Sequence, residues 1–104
     1  MLTTLVQIKM PAYMSLEKAR EVFVGTAPKY RVVAGLIRKY YLLAEDGNTA
    51  GGVYLWESRA AAEAMYNPEW YAFIREKYGV DPEVSYFESP VVVDNLTAEI
   101  ISTG

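Results

Sequence analysis

Arg38 and Lys39 are adjacent in a stretch of aliphatic and aromatic residues, GLIRKYYLLAE. A strand over this stretch points neighbouring side chains to opposite faces, so we expect at least one of the two cations to face the interior. A buried lysine has a lowered pKa and can act as a base or hold an anion. The alternative is a lysine that extends its amine to solvent and pairs with Glu57 or Glu88. The sequence leaves both interpretations open.

Tyr40 follows the two cations and is the third polar candidate. A tyrosine hydroxyl donates hydrogen bonds at neutral pH and can stabilise an oxyanion, but its ordinary pKa of about 10 makes it a poor base. The parity of the strand decides which of Arg38, Lys39 and Tyr40 faces a pocket. The sequence does not fix that parity.

The chain has no histidine and no cysteine among its 104 residues. These absences exclude the imidazole base, the Ser-His-Asp and Cys-His arrangements, histidine-held haem and most zinc sites. A metal would need carboxylates alone, and no Asp/Glu cluster has the spacing of a ligand loop. We therefore predict no metal site.

Aromatic residues are abundant: nine tyrosines, three phenylalanines and two tryptophans. So much aromatic surface must enter a core, an interface or a ligand pocket. Tyr54 and Trp56 share one face of a strand by the period-two rule. Tyr66 and Trp70 flank a predicted helix break and could complete a pocket wall with them, and Tyr40 and Tyr41 could line the same pocket. The alternative is that these rings are core and interface packing.

Asn67 precedes Pro68 at that break. Its amide could orient a substrate oxygen, but an Asn-Pro helix break is by itself a sufficient reason for the residue. The segment Ala50-Gly51-Gly52 is not a phosphate loop, because it lacks the lysine and leads into a strand. We expect its glycines to permit a turn or a close approach of backbones.

The elements that would position these residues follow from periodicity, caps and breakers. Ser15 caps a helix that we expect to end near Thr26, with Pro28 opening a short helical return that ends at Gly35. Ser58 caps an alanine-rich helix. A last strand is interrupted at Pro90, which suits an edge or a change of partners. The predicted elements are a strand over 2–10, a helix over 15–26, a hairpin of strands over 35–45 and 51–58, helical segments over 59–66 and 69–79, a strand over 80–95 and a tail over 95–104.

This order is the split βαβ arrangement of the ferredoxin-like fold, so we predict an α+β protein with a βαββαβ antiparallel sheet and helices on one face. Both parities of the central strands are apolar, as in Tyr41 and Leu43 against Tyr40 and Leu42. In a strand with one face open to water, apolar and polar residues should alternate. We therefore expect a second copy of the chain to cover the other face, which makes a homodimer.

The length of 104 residues favours a single domain over residues 1–104. The net charge of −3 argues against a nucleic-acid partner. No apolar run approaches the roughly 20 residues of a membrane span, and the N-terminus lacks the features of a signal peptide. We predict a cytoplasmic protein with neither a nucleic-acid nor a membrane partner.

The stretch from Gly35 to Tyr66 resembles the central block of the YdhR-type monooxygenase family. The shared elements are Gly35-Leu36 at the start of a strand, Lys39 four residues after that glycine, the segment AGGVYL over 50–55, and the alanine-rich helix that ends at Tyr66. The resemblance implies a dimeric α/β barrel with a pocket between sheet and helices in each subunit. Many relatives have a histidine near the end of the second helix, where this chain has Met65-Tyr66, so no role of that histidine transfers.

The wider superfamily implies oxygenation of a small aromatic, anthrone-like or quinol-like substrate without metal or flavin. The substrate would lose a proton and reduce dioxygen directly, which needs an apolar pocket, a proton acceptor and donors for the anion. The alternatives are a non-catalytic module that binds an apolar ligand or serves a stress response, and an isomerase or decarboxylase. We predict Lys39 and Tyr40 as catalytic residues and, as substrate-binding residues, Arg38, Tyr54, Trp56, Tyr66, Asn67 and Trp70.

Overall fold

The computed structural model describes residues 1–102. Strands and helices occur in the predicted order βαββαβ, with the second helical stretch and the last predicted strand each split in two and one further short strand in the predicted tail. The elements are β1 (Leu2–Lys9), α1 (Leu16–Tyr30), β2 (Leu36–Leu43), β3 (Thr49–Trp56), α2 (Arg59–Met65), α3 (Pro68–Tyr78), β4 (Glu83–Glu88), β5 (Val91–Asp94) and β6 (Glu99–Ser102). No helix in this part of the chain is long and apolar enough to cross a membrane.

Four strands form one antiparallel sheet in the order β2-β3-β1-β4. On β1 and β3, every second residue is buried against the helices, including Thr4 in β1 and Tyr54 and Trp56 in β3. The ladder between β2 and β3 shifts register between Leu36 and Arg38, and beyond this irregularity Lys39 is the partner of Tyr54. The register therefore places Lys39 in the middle of the helix-covered face.

The helix α1 runs four residues past the expected end at Thr26 and includes Pro28. Ser15 caps its start as predicted, since the Ser15 hydroxyl accepts a hydrogen bond from the Lys18 backbone N–H at 3.1 Å. Pro28 costs the helix one backbone donor, but it lies in the last turn, where only two more helical residues follow. The expected helical return after Pro28 was wrong, because Tyr30 belongs to α1.

The helices α2 and α3 are separated at Asn67-Pro68, as the sequence predicted. Ser58 caps α2 by accepting from the Ala61 N–H at 3.2 Å. Asn67 caps α3 by accepting from the Trp70 N–H at 2.9 Å, and Pro68 occupies the first turn, where it loses no internal hydrogen bond. Gly79 ends α3 in the left-handed conformation.

The expected single last strand is divided. β4 joins the main sheet beside β1, while β5 and β6 pair with each other in a separate two-stranded sheet. Pro90 lies between β4 and β5, where a proline fits because it cannot donate to a ladder. Part of the predicted tail therefore forms β6, and its last residues, 103 and 104, lie outside the described residues.

The sheet face opposite the helices carries exposed apolar side chains. Tyr40 is 54% exposed, Leu42 38% and Phe87 52%. The helix-covered face holds the core, in which Trp56 has no exposed surface. Both faces of the sheet are therefore apolar, but only one of them is covered by helices.

Candidate functional site

Lys39 lies among tyrosine rings contributed by three elements. Its ammonium nitrogen is 3.4 Å from the ring centroid of Tyr30 on α1, 3.8 Å from that of Tyr41 on β2 and 4.6 Å from that of Tyr54 on β3. No carboxylate forms an ion pair with Lys39 among the residues that the structure describes. The side chain is therefore a half-buried cation whose immediate neighbours are aromatic faces.

Burial, together with the smaller effect of the positive charge of Lys29 on α1, lowers the pKa of Lys39 to about 7. The tyrosine faces attract the charged form, but each such contact contributes only about 0.5–2 kcal/mol. Loss of hydration without an anionic partner outweighs that attraction. Near neutral pH, Lys39 is therefore present in both its charged and its neutral form.

Two glycines of β3 make room for this arrangement. A Cβ atom on Gly52 would lie 3.2 Å from Cε of Lys39 and 2.9 Å from the carbonyl oxygen of Tyr40. A Cβ on Gly51 would lie only 1.8 Å from the carbonyl oxygen of Val6 on the neighbouring strand. The expected close backbone approach at these glycines is confirmed, and at Gly52 it leaves space for the lysine side chain.

The hydroxyl groups around Lys39 are partly committed to the protein. Thr26 donates to the Phe23 carbonyl oxygen at 3.2 Å, so the Tyr41 hydroxyl, 2.8 Å from the Thr26 oxygen, must be the donor between the two. The Tyr30 oxygen accepts from the Trp70 indole N–H at 3.1 Å. Tyr30 also shares a side-chain hydrogen bond with Tyr54, so the hydroxyls of Tyr30 and Tyr41 are both engaged within the protein.

Two spaces meet at Lys39. An internal cavity of about 20 Å³, large enough for one water molecule, lies between sheet and helices and is lined in part by Phe23, Tyr54 and Tyr78. An open cleft of about 330 Å³ lies where α1 ends and β2 begins, and its wall includes Arg31. Tyr30, Lys39 and Tyr41 line both spaces. These three side chains thus separate the cleft from the interior.

Two larger clefts flank α1. One of about 480 Å³ lies between α1 and β2 and shares Phe23 and Tyr41 with the internal cavity. The other, of about 570 Å³, lies between the loop before α1 and the end of α3 and shares Tyr78 with it. Only Ala19 and Tyr30 of α1 are fully buried. Most residues of α1 are therefore exposed or only partly buried.

A sequence model of the family described as "Putative mono-oxygenase ydhR" matches residues 5–88. The chain belongs to this family. The matched range contains Lys39 and the three tyrosines around it. A search of curated protein sequences finds no match.

Several solved structures have a similar fold. A monooxygenase from the gene ActVA-Orf6 of Streptomyces coelicolor, in complex with Nanaomycin D, is 19% identical, with 85% of this chain and 86% of that chain covered at a TM-score of 0.64. SnoaB of Streptomyces nogalater, described as a cofactor-independent oxygenase, is 18% identical over 85% and 91% at 0.61. A putative antibiotic biosynthesis monooxygenase from Deinococcus radiodurans is 14% identical over 90% and 97% at 0.65. These likenesses confirm the predicted ferredoxin-like α+β fold.

In this ydhR-family chain the three neighbouring candidates on β2 are not brought together. Lys39 faces the helices, whereas Arg38 and Tyr40 lie on the other face of the sheet, where the Arg38 guanidinium donates to the Tyr40 hydroxyl at 3.3 Å. Arg38 also pairs with Asp94 at 3.4 Å. Tyr40 therefore does not share a pocket with Lys39 within one chain. The alternative partners Glu57 and Glu88 form no ion pair with Lys39 in the described residues.

The predicted aromatic wall is brought together, but as a packed cluster. The Tyr54 and Trp56 rings stack at 5.9 Å, and Tyr66 packs edge-on against Trp56 at 5.6 Å and against Trp70 at 4.7 Å. Thr4 accepts from the Trp56 indole N–H at 2.9 Å and is hydrogen-bonded to the Tyr66 hydroxyl at 2.6 Å. Of these four rings, only Tyr54 lines the cavity at Lys39.

Asn67 uses its amide within the protein. Besides capping α3, its side-chain nitrogen donates to the Ala64 carbonyl oxygen at 3.2 Å. Both the oxygen and the nitrogen of the side-chain amide are therefore hydrogen-bonded to backbone groups at the helix break. This geometry favours the helix-break interpretation over a role in orienting substrate.

Sequence reasoning missed Tyr30 as a site residue, and it considered Tyr41 for the pocket wall but left it out of the predicted site residues. Tyr41 could have been found, because it shares the strand parity of Lys39 and stands two residues away. Tyr30 could not, since the helix was expected to end before it. Among residues 1–102, no group of three acidic side chains is positioned to hold a metal ion. The absence of a metal or organic cofactor stays a prediction.

Proposed function

We propose that the chain is a cofactor-independent monooxygenase for a small aromatic substrate of the anthrone or quinol type, bound in the cleft at Lys39. The observation that carries this proposal is a largely buried amine set among tyrosine faces and without a carboxylate partner, an arrangement in which burial lowers the pKa of Lys39 to about 7. Membership of the ydhR family supports a monooxygenase, and the neighbour SnoaB is described as a cofactor-independent oxygenase.

Neutral Lys39 supplies the proton acceptor that such a reaction needs. It takes a proton from the reacting carbon or its enol hydroxyl, and the carbanion left behind is electron-rich enough to reduce dioxygen. A carbon–oxygen bond forms, and the ammonium of Lys39 returns the proton to give a hydroperoxide. Cleavage of the oxygen–oxygen bond then releases water and leaves a carbonyl. In sum, a CH₂ group and dioxygen give a carbonyl group and water.

The surroundings of Lys39 suit the anion formed in the first step. The Tyr30 hydroxyl lies in the cleft wall, where it accepts from Trp70 and is hydrogen-bonded to Tyr54, and we expect it to turn toward a substrate oxygen as a donor. The tyrosine rings supply flat apolar surface for an aromatic substrate. Where a bound ring covers them from solvent, both the donor and the ammonium stabilise negative charge more strongly than they would in water.

Oxygen uptake against a panel of anthrones and hydroquinones, with a chelator present, tests the proposal. We expect uptake by the wild-type chain and a loss on the order of 10²–10⁴-fold in Lys39→Met, the range typical of a removed general base. Lys18→Met is the matched control, because Lys18 is an exposed lysine of α1 paired only with Glu21. No uptake with any substrate, or equal rates in Lys39→Met, would contradict the proposal.

A second candidate function is binding of an apolar ligand without turnover. The cleft of about 570 Å³ favours it, since apolar side chains such as Met10, Met14 and Val22 line much of that cleft. This volume lies within the usual range of small-molecule sites, roughly 300–1,000 Å³. Saturable binding of the same panel without oxygen uptake would favour this function.

We further propose that the working protein is a homodimer formed through the sheet face opposite the helices. Tyr40, Leu42 and Phe87 make that face apolar and exposed in the single chain. The hairpin of β5 and β6 also exposes apolar side chains, among them Val93 and Ile100. A second copy would cover both surfaces, as in a dimeric α/β barrel.

A further inference from the structure

Tyr41 lies where three spaces of the molecule meet. It lines the cleft of about 330 Å³ at Lys39, the cleft of about 480 Å³ between α1 and β2, and the internal cavity of about 20 Å³. Among the described residues, no other residue lines all three. Lys39 lines the first cleft and the internal cavity but not the cleft of about 480 Å³. The Tyr41 ring therefore lies between that larger cleft and the amine.

Contacts on several sides hold this ring in place. The Tyr41 ring stacks on Phe23 of α1, with the ring centroids 4.7 Å apart and the ring planes 22° from parallel. Its hydroxyl is hydrogen-bonded to the Thr26 hydroxyl at 2.8 Å, and the Tyr30 ring meets it edge-on at 6.2 Å. The Lys39 ammonium lies 3.8 Å from the ring centroid. Together these contacts favour one orientation of the ring, in which it keeps the two clefts apart.

The boundary between the two clefts has little other material in it. Of the described residues, only Ala27 on α1 and Tyr41 on β2 line both clefts. The Ala27 side chain is a single methyl group, so the Tyr41 ring makes up most of the boundary. The wall of the cleft of about 480 Å³ is largely apolar and includes Phe23, Val24 and Leu43. A shorter side chain in place of Tyr41 would therefore connect Lys39 with a second apolar space.

We infer that Tyr41 determines the size of the substrate and limits it to about two fused rings, as in a naphthalene quinol rather than a three-ring anthrone. This inference rests on the proposed function for the site and narrows its substrate class. The volume of about 330 Å³ is near the lower end of small-molecule sites, roughly 300–1,000 Å³. A third ring in line with the first two would either extend into solvent or meet the Tyr41 ring. In neither position does it gain the burial that favours binding.

Anaerobic calorimetric titration with 2-naphthol and with 2-hydroxyanthracene, which differ by one fused ring, tests the inference. We expect the wild-type chain to bind 2-naphthol several-fold more tightly, although the larger apolar surface of 2-hydroxyanthracene by itself favours the three-ring ligand. Tyr41→Val should reverse this order, because it joins the two clefts while keeping a residue that suits a strand. Tyr41→Phe is the matched control, since it keeps the ring and should keep the wild-type order.

A double variant tests the same boundary from the helix side. Ala27→Leu added to Tyr41→Val places bulk between the two clefts again and should restore the preference for 2-naphthol. Far-ultraviolet circular dichroism checks that each variant is folded, and Tyr41→Leu takes the place of Tyr41→Val if that variant is not. Tighter binding of 2-hydroxyanthracene to the wild type, no binding of either ligand, or an unchanged order in the folded Tyr41 variant would overturn the inference.

Oxygen uptake with 1,4-dihydroxynaphthalene and with anthrone separates this inference from the proposed function. Binding that selects for two rings and depends on Tyr41, without oxygen uptake from either compound, would keep the size limit and remove the monooxygenase. Oxygen uptake that depends on Lys39, in a wild-type chain that binds 2-hydroxyanthracene more tightly than 2-naphthol, would keep the monooxygenase and remove the size limit.

Discussion

Lys39 is the β-ladder partner of Tyr54, and its ammonium nitrogen lies 4.6 Å from the centroid of the Tyr54 ring. A lysine at this register position cannot reach solvent on the exposed face of the sheet, because its side chain leaves the strand toward the helices. The side chain is instead enclosed by Tyr54, Tyr41 and Tyr30. Stability, pH dependence and catalysis are all expected to follow from this placement.

Stability should rise with pH between about pH 7 and pH 10. The folded-state pKa of Lys39 is about 7, against an ordinary value of 10.5. Between these values the unfolded chain binds more protons, so the free energy of unfolding increases with pH. Above pH 10 the trend should reverse, because burial raises the pKa of Tyr78 to about 12 and the pKa values of Tyr54 and Tyr66 also lie above the ordinary value.

Urea unfolding at a series of pH values checks this profile. Lys39→Met should remove the rise between about pH 7 and pH 10, and Lys18→Met should keep it. Each unit of pKa shift corresponds to about 1.4 kcal/mol, so the rise should amount to a few kcal/mol. A wild-type stability that falls from pH 7 to pH 9 would show that Lys39 is not held as a neutral amine.

Thr4→Val should destabilise the chain by about 1–3 kcal/mol, because it leaves the buried Trp56 indole N–H without its acceptor. The change keeps the shape of a fully buried side chain and removes only the hydroxyl. Thr49→Val on β3 is the control, and it should cost little. Chemical denaturation followed by tryptophan fluorescence measures both. Equal stability of Thr4→Val and the wild type would mean that Trp56 has another partner.

Gly52→Ala should both destabilise the chain and displace Lys39. The added methyl group would lie 2.9 Å from the Tyr40 carbonyl oxygen and 3.2 Å from Cε of Lys39, and crowding of this kind typically costs about 1–3 kcal/mol. Gly25→Ala, a helical site with nothing within 4 Å, should be neutral or stabilising by up to about 1 kcal/mol. Thermal unfolding of the two variants gives the comparison. If Gly52→Ala kept wild-type stability and wild-type oxygen uptake, Gly52 would not be needed to leave space for the Lys39 side chain.

Leu42→Glu should convert the proposed homodimer to a monomer, since it places a charge on the apolar sheet face. Light scattering coupled to size exclusion measures the mass directly. Val32→Glu is the matched control, because Val32 is 85% exposed and lies in the loop before β2, away from that face. A wild-type chain that is monomeric at micromolar concentration would refute the dimer.

The sequence was sufficient for the order of the elements and for the shared face of Tyr54 and Trp56, since both follow from periodicity and caps. It was also sufficient for placing Lys39 and Arg38 on opposite faces. It could not tell which of them faces the helices, because both faces of β2 are apolar and the register shift near Ile37 resets the pairing. That choice depends on contacts with α1, which local patterns do not contain.

The site role of Tyr30 could not be predicted from the sequence, for a related reason. Pro28 favours the end of a helix, and the continuation to Tyr30 depends on packing that a single sequence does not reveal. For Trp56, Tyr66 and Trp70 the sequence indicated the position but not the role. Their clustering could be predicted, but their role as packing depends on Thr4 and Tyr30, which accept the two indole N–H groups.

The pH dependence of kcat/KM for oxygen uptake tests the central claim most directly, namely that Lys39 works as a neutral amine. With a substrate that does not itself titrate, kcat/KM should rise through an inflection near pH 7 and then level off. Lys29→Met should move the inflection to higher pH, because it removes the neighbouring charge that lowers the pKa of Lys39. A profile without an inflection in this range, or an inflection that persists in Lys39→Met, would contradict the account.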